Sequence, residues 1–341
     1  MAPLAPARYF VSSLFLGATM VLALTLGALA EPDIWRNQGW AETDFSKTSV
    51  KFEEILGGGP PKDGIPSIEN PSFLSLAEND SADLGLGAQE PVVTVVINGD
   101  ARAYPIRVLM WHEIVNDTVG GLPVTVTYCP LCNTALVFER ELDGTLYDFG
   151  TTGMLRFSDL VMYDRQTQSW WQQYSGEAIV GAALGTVLKG VPARLESFER
   201  FVAAHPKGQV LIPNNPNIRS YGTNPYVGYD LSPRPFIFRG DLPTDIEPMA
   251  RVVMVEVNGK PQAISLAHLR KVRKVEMGDV VITYEDGQNS ALETREISKG
   301  RDVGNVIARR KTATGFEDIV NHVTFAFAYR AFEPGGPILQ N

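Results

Sequence analysis

Cys129 and Cys132 are the only cysteines among 341 residues, and two residues separate them in Thr127-Tyr-Cys-Pro-Leu-Cys-Asn133. Two thiols at this spacing support three chemistries: a metal held by thiolates, a dithiol–disulfide couple, or a local disulfide. The β-branched run Val124-Thr-Val-Thr127 leads into the pair, and Thr134-Ala-Leu-Val-Phe138 leads out of it. Both runs favour strand, and Asp143-Gly144 downstream is a strong hairpin signal. The pair is therefore expected on a turn between strands. Redox pairs of the thioredoxin kind instead open a helix, whose N-terminus lowers the pKa of the first thiol. A turn with proline at its second position points both thiols to one side, the shape of a metal knuckle. A loop this small contributes little as a covalent staple.

Two soft ligands do not complete a metal site, so others must come from elsewhere in the chain. His112, between Trp111 and Glu113 in the segment before the cysteine strand, is the candidate third ligand. Imidazole with two thiolates suits copper or zinc, and a nearby methionine favours copper. Met110, Met154 and Met162 are available, with Met154 assigned to the pocket. The plain alternative for His112 is a core or helix-capping histidine. A second group, Glu113, Asp159, Asp164, Arg165 and Trp170, is expected to line a pocket or orient the ligands. Asp159 and Asp164 suit acid–base work or a hydrogen bond that fixes a metal-bound imidazole. Their plain alternative is a strand, a turn at Asp164-Arg165 and core tryptophans. His205, His268 and His322 read as structural. The chain holds no Gly-x-Ser-x-Gly elbow, phosphate loop or His-Glu-x-x-His, and no nucleotide cofactor is expected.

The elements that must position these groups are mostly strands. Residues 1–30 read as a signal peptide: Arg8, an apolar run from Tyr9 to Leu29, then Ala28-Leu29-Ala30. An uncleaved membrane anchor is the alternative. The protein is expected to be exported, periplasmic or extracellular, and to meet a membrane only if the signal stays. Residues 31–90 are rich in loop signals; 91–212 form the main unit with the cysteine pair; 213–248 are a Pro-rich excursion or linker; 249–341 are a smaller related unit. That relation is read from order and spacing. Val253-Met-Val-Glu-Val-Asn258-Gly259 echoes Val93-Thr-Val-Val-Ile-Asn98-Gly99, and Gly278-Asp-Val-Val-Ile-Thr-Tyr284 echoes Leu122-Pro-Val-Thr-Val-Thr-Tyr128. A duplicated β-rich unit explains this most economically. Glu285-Asp286 then stands where Cys129-Pro130 stands in the first copy. The predicted class is α+β and predominantly β, with mixed or antiparallel sheets, short helices and a degenerate internal repeat.

The net charge of −9 is spread without a basic stripe, so nucleic-acid binding has no electrostatic footprint. The runs Trp111-His-Glu-Ile-Val-Asn-Asp117, Thr127-Tyr-Cys-Pro-Leu-Cys132, Phe149-Gly-x-x-Gly-x-Leu155, Met162-Tyr-Asp-Arg-Gln-Thr-x-Ser-Trp170 and Gly176-Glu-Ala-Ile-Val-Gly181 resemble an uncharacterised bacterial family of exported proteins. That family is catalogued as a domain of unknown function. The resemblance implies that the cysteine segment is a family signature and implies no activity. The leading expectation is an exported metal-binding protein, copper favoured and zinc second, in metal handling or metal-dependent redox chemistry. A thiol–disulfide oxidoreductase using Cys129/Cys132 is one rival. A non-catalytic module with a local disulfide, contacting its ligand through Trp170, Trp171 and residues 221–229, is the other. The partner is expected to be an exported protein or a small molecule.

Overall fold

A computed structural model describes residues 31–341. The expected signal peptide lies outside the described residues. Among the described residues no helix is long and apolar enough to cross a membrane. The chain is mostly β, in several small antiparallel and mixed sheets with short helices, as the sequence predicts.

The first unit opens with β1 (Pro91–Ile97) and β2 (Asp100–Pro105), then α1 (Ile106–His112), β3 (Ile114–Val119), β4 (Leu122–Cys129) and β5 (Thr134–Glu139). Asn98 and Gly99 join β1 to β2 with φ of 50° and 83°. A two-residue hairpin of this hand needs positive φ at both positions, which Asn-Gly supplies at little cost. β4 and β5 pair with Cys129 opposite Thr134, so Pro130–Asn133 form the expected turn between strands. A second sheet is inserted after β5: β6 (Phe149–Arg156), β7 (Asp159–Asp164), β8 (Trp170–Gln172) and β9 (Glu177–Val180). The first unit then resumes with β10 (Gly190–Val191), β11 (Arg194–Ser197), α2 (Phe198–Ala204) and β12 (Gln209–Ile212).

The last third repeats this plan. It runs β13 (Arg251–Val257), β14 (Lys260–Ser265), α3 (Leu266–Val272), β15 (Lys274–Met277), β16 (Val280–Glu285), β17 (Asn305–Thr312), β18 (Gly315–Asp318), β19 (Asn321–Phe325), α4 (Ala326–Phe332) and β20 (Ile338–Leu339). Two sheet orders match, β10–β5–β4–β3 against β18–β17–β16–β15 and β11–β1–β2–β12 against β19–β13–β14–β20, with one further strand, Ser72–Ser75, beyond β12 in the first copy. Even the one parallel pairing recurs, β12 on β2 and β20 on β14. Asn258-Gly259 repeats the turn, with φ of 52° and 71°. The inserted sheet occupies the place of the short turn between β17 and β18, so it belongs to the first copy alone.

Each unit buries its own apolar side chains: Val93, Val95, Val124 and Val126 in one core, Val253, Val255, Ile264 and Ile282 in the other. The strand Ile55–Gly57 adds an edge to the inserted sheet beside β6. Trp35, Trp40 and Phe45 pack edge-on or tilted against Trp170, which is fully buried. Residues 213–248 form no labelled strand, yet they are tied down. Asn224 and Gly228 donate backbone hydrogen bonds to Arg295 and Glu293, and Asp230 is buried in an ion pair with Arg251 at 3.0 Å.

The two copies supply matched positions for a stability test. Gly120 and Gly278 hold the matching first position of their hairpin turns, at φ of 52° and 64°. A Cβ on Gly120 would stand 2.1 Å from the Ile97 carbonyl oxygen, whereas on Gly278 the nearest atom is a Val257 methyl at 3.5 Å. Gly278→Ala then carries only the left-handed backbone cost, about 1 kcal/mol, while Gly120→Ala adds a backbone collision for about 3 kcal/mol in all. Urea unfolding of the two variants checks this; equal losses would contradict the packing.

Candidate metal centre

Three elements bring the chemistry together. Cys129 ends β4, Cys132 sits in the turn after it, and Asp159 begins β7 of the inserted sheet. The two sulfurs and a carboxylate oxygen of Asp159 lie within 4.8 Å of one another, all three residues buried, and this group could hold a metal ion. Both cysteines are free thiols.

The turn is fixed through its backbone. The Pro130 carbonyl accepts from the Asn133 amide at 3.2 Å, and the Leu131 carbonyl from the Tyr229 hydroxyl at 2.8 Å. The Cys132 carbonyl accepts from the Phe325 amide at 3.2 Å and the Thr324 hydroxyl at 2.9 Å, both on β19 of the second copy. Asn133 donates to the Val323 carbonyl at 3.1 Å and accepts from Arg251 at 3.2 Å. Asp159 is held by the two-residue turn Phe157–Ser158, which has φ of 52° and 63°. That turn type usually takes Asn and Gly, so Phe-Ser is strained there. Its carbonyls face the thiols: Cys129 Sγ lies 3.6 Å from the Ser158 oxygen and Cys132 Sγ 3.9 Å from that of Phe157.

The electrostatics share one cause. Burial pushes the Cys129 and Cys132 thiols up, Cys132 further because Cys129 and Asp159 lie beside it. Burial pushes Asp159 up to about 7, against hydrogen bonds from Gln172 at 2.7 Å and the Tyr174 amide at 2.9 Å. It pushes Glu113 up to about 8, with Asp159 adding to the rise. Among the described residues, no lysine, arginine or histidine is a leading influence on any of these four acids. Burial holds such acids protonated to higher pH than in water, and a positive charge arriving among them releases those protons.

Glu113 follows α1 at φ 57°, and its carbonyl accepts from the Tyr128 amide at 2.8 Å. In the second copy Arg273 stands in this place at φ 68°, accepting from Tyr284 at 2.9 Å. The unusual backbone is thus part of the repeated fold, and only the side chain distinguishes the site. Along the same alignment, Glu285 replaces Cys129 and Gln288 replaces Cys132.

The other sequence-selected residues divide. Met154 and Glu113 line the same cavity as Cys129. His112 does not join the thiols. Its Nδ1 lies 2.7 Å from the Pro66 carbonyl, which can only accept, so Nδ1 carries the proton and Nε2 accepts from the Tyr221 hydroxyl at 2.8 Å. With burial lowering its pKa, His112 is a neutral ring with both nitrogens occupied. Asp164 accepts from the Thr167 hydroxyl at 2.7 Å and the Trp171 indole at 2.8 Å, a turn-fixing role. Arg165 pairs with Asp63 at 3.0 Å and Glu69 at 3.2 Å near the surface. Trp170 belongs to the aromatic core. Sequence reasoning placed Asp159 behind a ligand, whereas the fold puts it beside the thiols in the group that could hold a metal ion. It missed Phe236 and Ile237 altogether.

Residues 62–336 match the family described as "Protein of unknown function (DUF3179)", and the chain belongs to that family. No curated protein matches the chain, and no solved structure does.

The raised acids set a pH dependence. A carboxyl whose pKa is higher folded than unfolded supports the fold most below its unfolded value, and that support is lost as pH rises through the folded value. For Asp159 and Glu113 the loss runs from their ordinary values of 3.8 and 4.5 up to about 7 and about 8. His322, buried and pushed down to about 4 from 6.5, acts oppositely, and its effect is complete by pH 6.5. Metal-free protein should therefore lose stability between pH 6.5 and 8, and Asp159→Asn should flatten that slope. Urea midpoints across this range measure it; an unchanged slope in the variant would show that Asp159 ionises without penalty.

Proposed function

We propose that the protein is an exported metal-binding protein that holds one zinc ion between Cys129, Cys132 and Asp159. The observation that carries this is the convergence of two buried thiols and a buried carboxyl with no cation among them. A divalent ion supplies the missing charge, and its binding releases the protons that burial retains. Replacing the expected imidazole by a carboxylate shifts the preference from copper towards zinc, since two thiolates with one oxygen suit zinc better than a soft copper ion. Three protein ligands leave a fourth position for water or a ligand, the pattern of zinc sites that act on something. Glu113 is the nearest further acid and is suited to moving a proton there.

The experiment is metal analysis of the reduced, purified chain without its first 30 residues. One zinc per chain is expected, falling to background in Cys129→Ser and to a small fraction in Asp159→Asn. Background zinc and copper in the parent chain would overturn the reading.

The redox couple is the weaker alternative, because a catalytic thiol needs a lowered pKa and these thiols are raised. In metal-stripped native protein at pH 7.5, iodoacetamide should alkylate the pair at least about tenfold more slowly than in urea. Native-state alkylation faster than in urea would restore the oxidoreductase.

A further inference from the structure

Three parts of the chain that the second copy lacks meet over the cysteine turn. They are the N-terminal segment, the inserted sheet and the 213–248 excursion, and between them lies a cavity of about 130 Å³. Its walls are carbon: Met154, Leu155 and Leu160 from the inserted sheet, Phe236 and Ile237 from the excursion. Its polar lining includes Cys129, Glu113 and Tyr226. Glu113 is 8% exposed and the Tyr226 ring is half-buried. Neither the Glu113 carboxyl nor the Tyr226 hydroxyl has a hydrogen-bond partner among the described residues. Both residues line the cavity, where their oxygens are free to take a partner from a ligand.

Ile237 is the second observation. It has φ of 50°, a conformation that a β-branched residue adopts only under constraint. The constraint is visible: the Ser158 hydroxyl lies 2.6 Å from the Phe236 carbonyl oxygen and 3.1 Å from that of Ile237. Ser158 precedes the ligand Asp159, and its own carbonyl faces Cys129. One strained turn therefore sets both the metal ligand and the cavity wall.

We propose that this cavity binds a small neutral acyl compound, with its carbonyl oxygen beside Cys129 against Glu113 and Tyr226 and its short carbon chain along Leu155 and Ile237. The inference deepens the metal-site reading and rests on it, since the ion and the two unpaired groups would act together on one acceptor oxygen. Among the described residues no lysine or arginine lines the cavity. A carboxylate would add a negative charge to a site already made of acids, and an alkylammonium would shed its water for a single carboxyl.

The test is calorimetry of the zinc-loaded chain with straight-chain hydroxamates of two to six carbons, which present a carbonyl and bind zinc, with zinc content measured after each titration. Affinity should rise about fourfold per methylene until the cavity fills. Ile237→Gly removes a wall side chain and the strain together. It should bind hexanohydroxamate about tenfold more weakly, with zinc content unchanged and a melting temperature unchanged or higher. Zinc at one per chain with affinity independent of chain length would overturn the inference and leave the metal reading standing. Tighter binding of hexylamine than of hexanohydroxamate would overturn the neutral acyl class. A chain that binds no zinc would remove the metal reading and this inference with it.

Discussion

The structure depends on the backbone of one four-residue turn. A buried carbonyl without a partner costs free energy comparable to a lost hydrogen bond, and Pro130–Asn133 is buried throughout. Its carbonyls are satisfied from inside the turn, from Tyr229 of the excursion, and from Thr324 and Phe325 of the second copy. The parts of the molecule are thereby joined at the place where the thiols lie. The second copy supports the site without containing one: its own Glu285 and Gln288 stand in the cysteine positions, and its β19 pins Cys132.

The thiols, Asp159 and Glu113 impose a different demand. Four acids lie buried near one another, and among the described residues no base is a leading influence on them. Evolution of a core usually removes such a cluster, because apolar residues of similar size are less costly to bury. Here the surrounding structure supports it instead, through the Gln172 and Tyr174 hydrogen bonds to Asp159 and through a strained Phe157–Ser158 turn. Strain and unbalanced burial meet within one small region, while the matched region of the second copy shows neither thiol nor strained Phe-Ser turn.

Much of the architecture was legible because it is written in local rules. Asn98-Gly99 and Asn258-Gly259 announce their hairpins, and the order of strands around them reveals the duplication. The strand–turn–strand reading of the cysteines followed from β-branched flanks and a downstream Asp-Gly. The site was legible only where it is continuous in the chain. Asp159 reaches the thiols through an inserted sheet folding back over β5, which no spacing encodes. His112 misled because adjacency along the chain was taken for adjacency in space. Its ring turns to Pro66 and Tyr221, from segments that sequence reading treated as loop and linker. Ile237 has no local signal at all, since an isoleucine with positive φ is what sequence rules exclude.

The hydrogen bond from Thr324 to Cys132 spans 192 positions of the chain. Contacts of such separation form late, after the shorter ones around them. While the chain is being made, or is passing through any pore as an extended strand, its first half can collapse and pair its hairpins, but the turn cannot be completed until residues 323–325 have emerged. The native site thus comes into being only in the compartment where folding finishes. Any ion that Cys129, Cys132 and Asp159 could hold would meet the finished pocket only after that last step of folding.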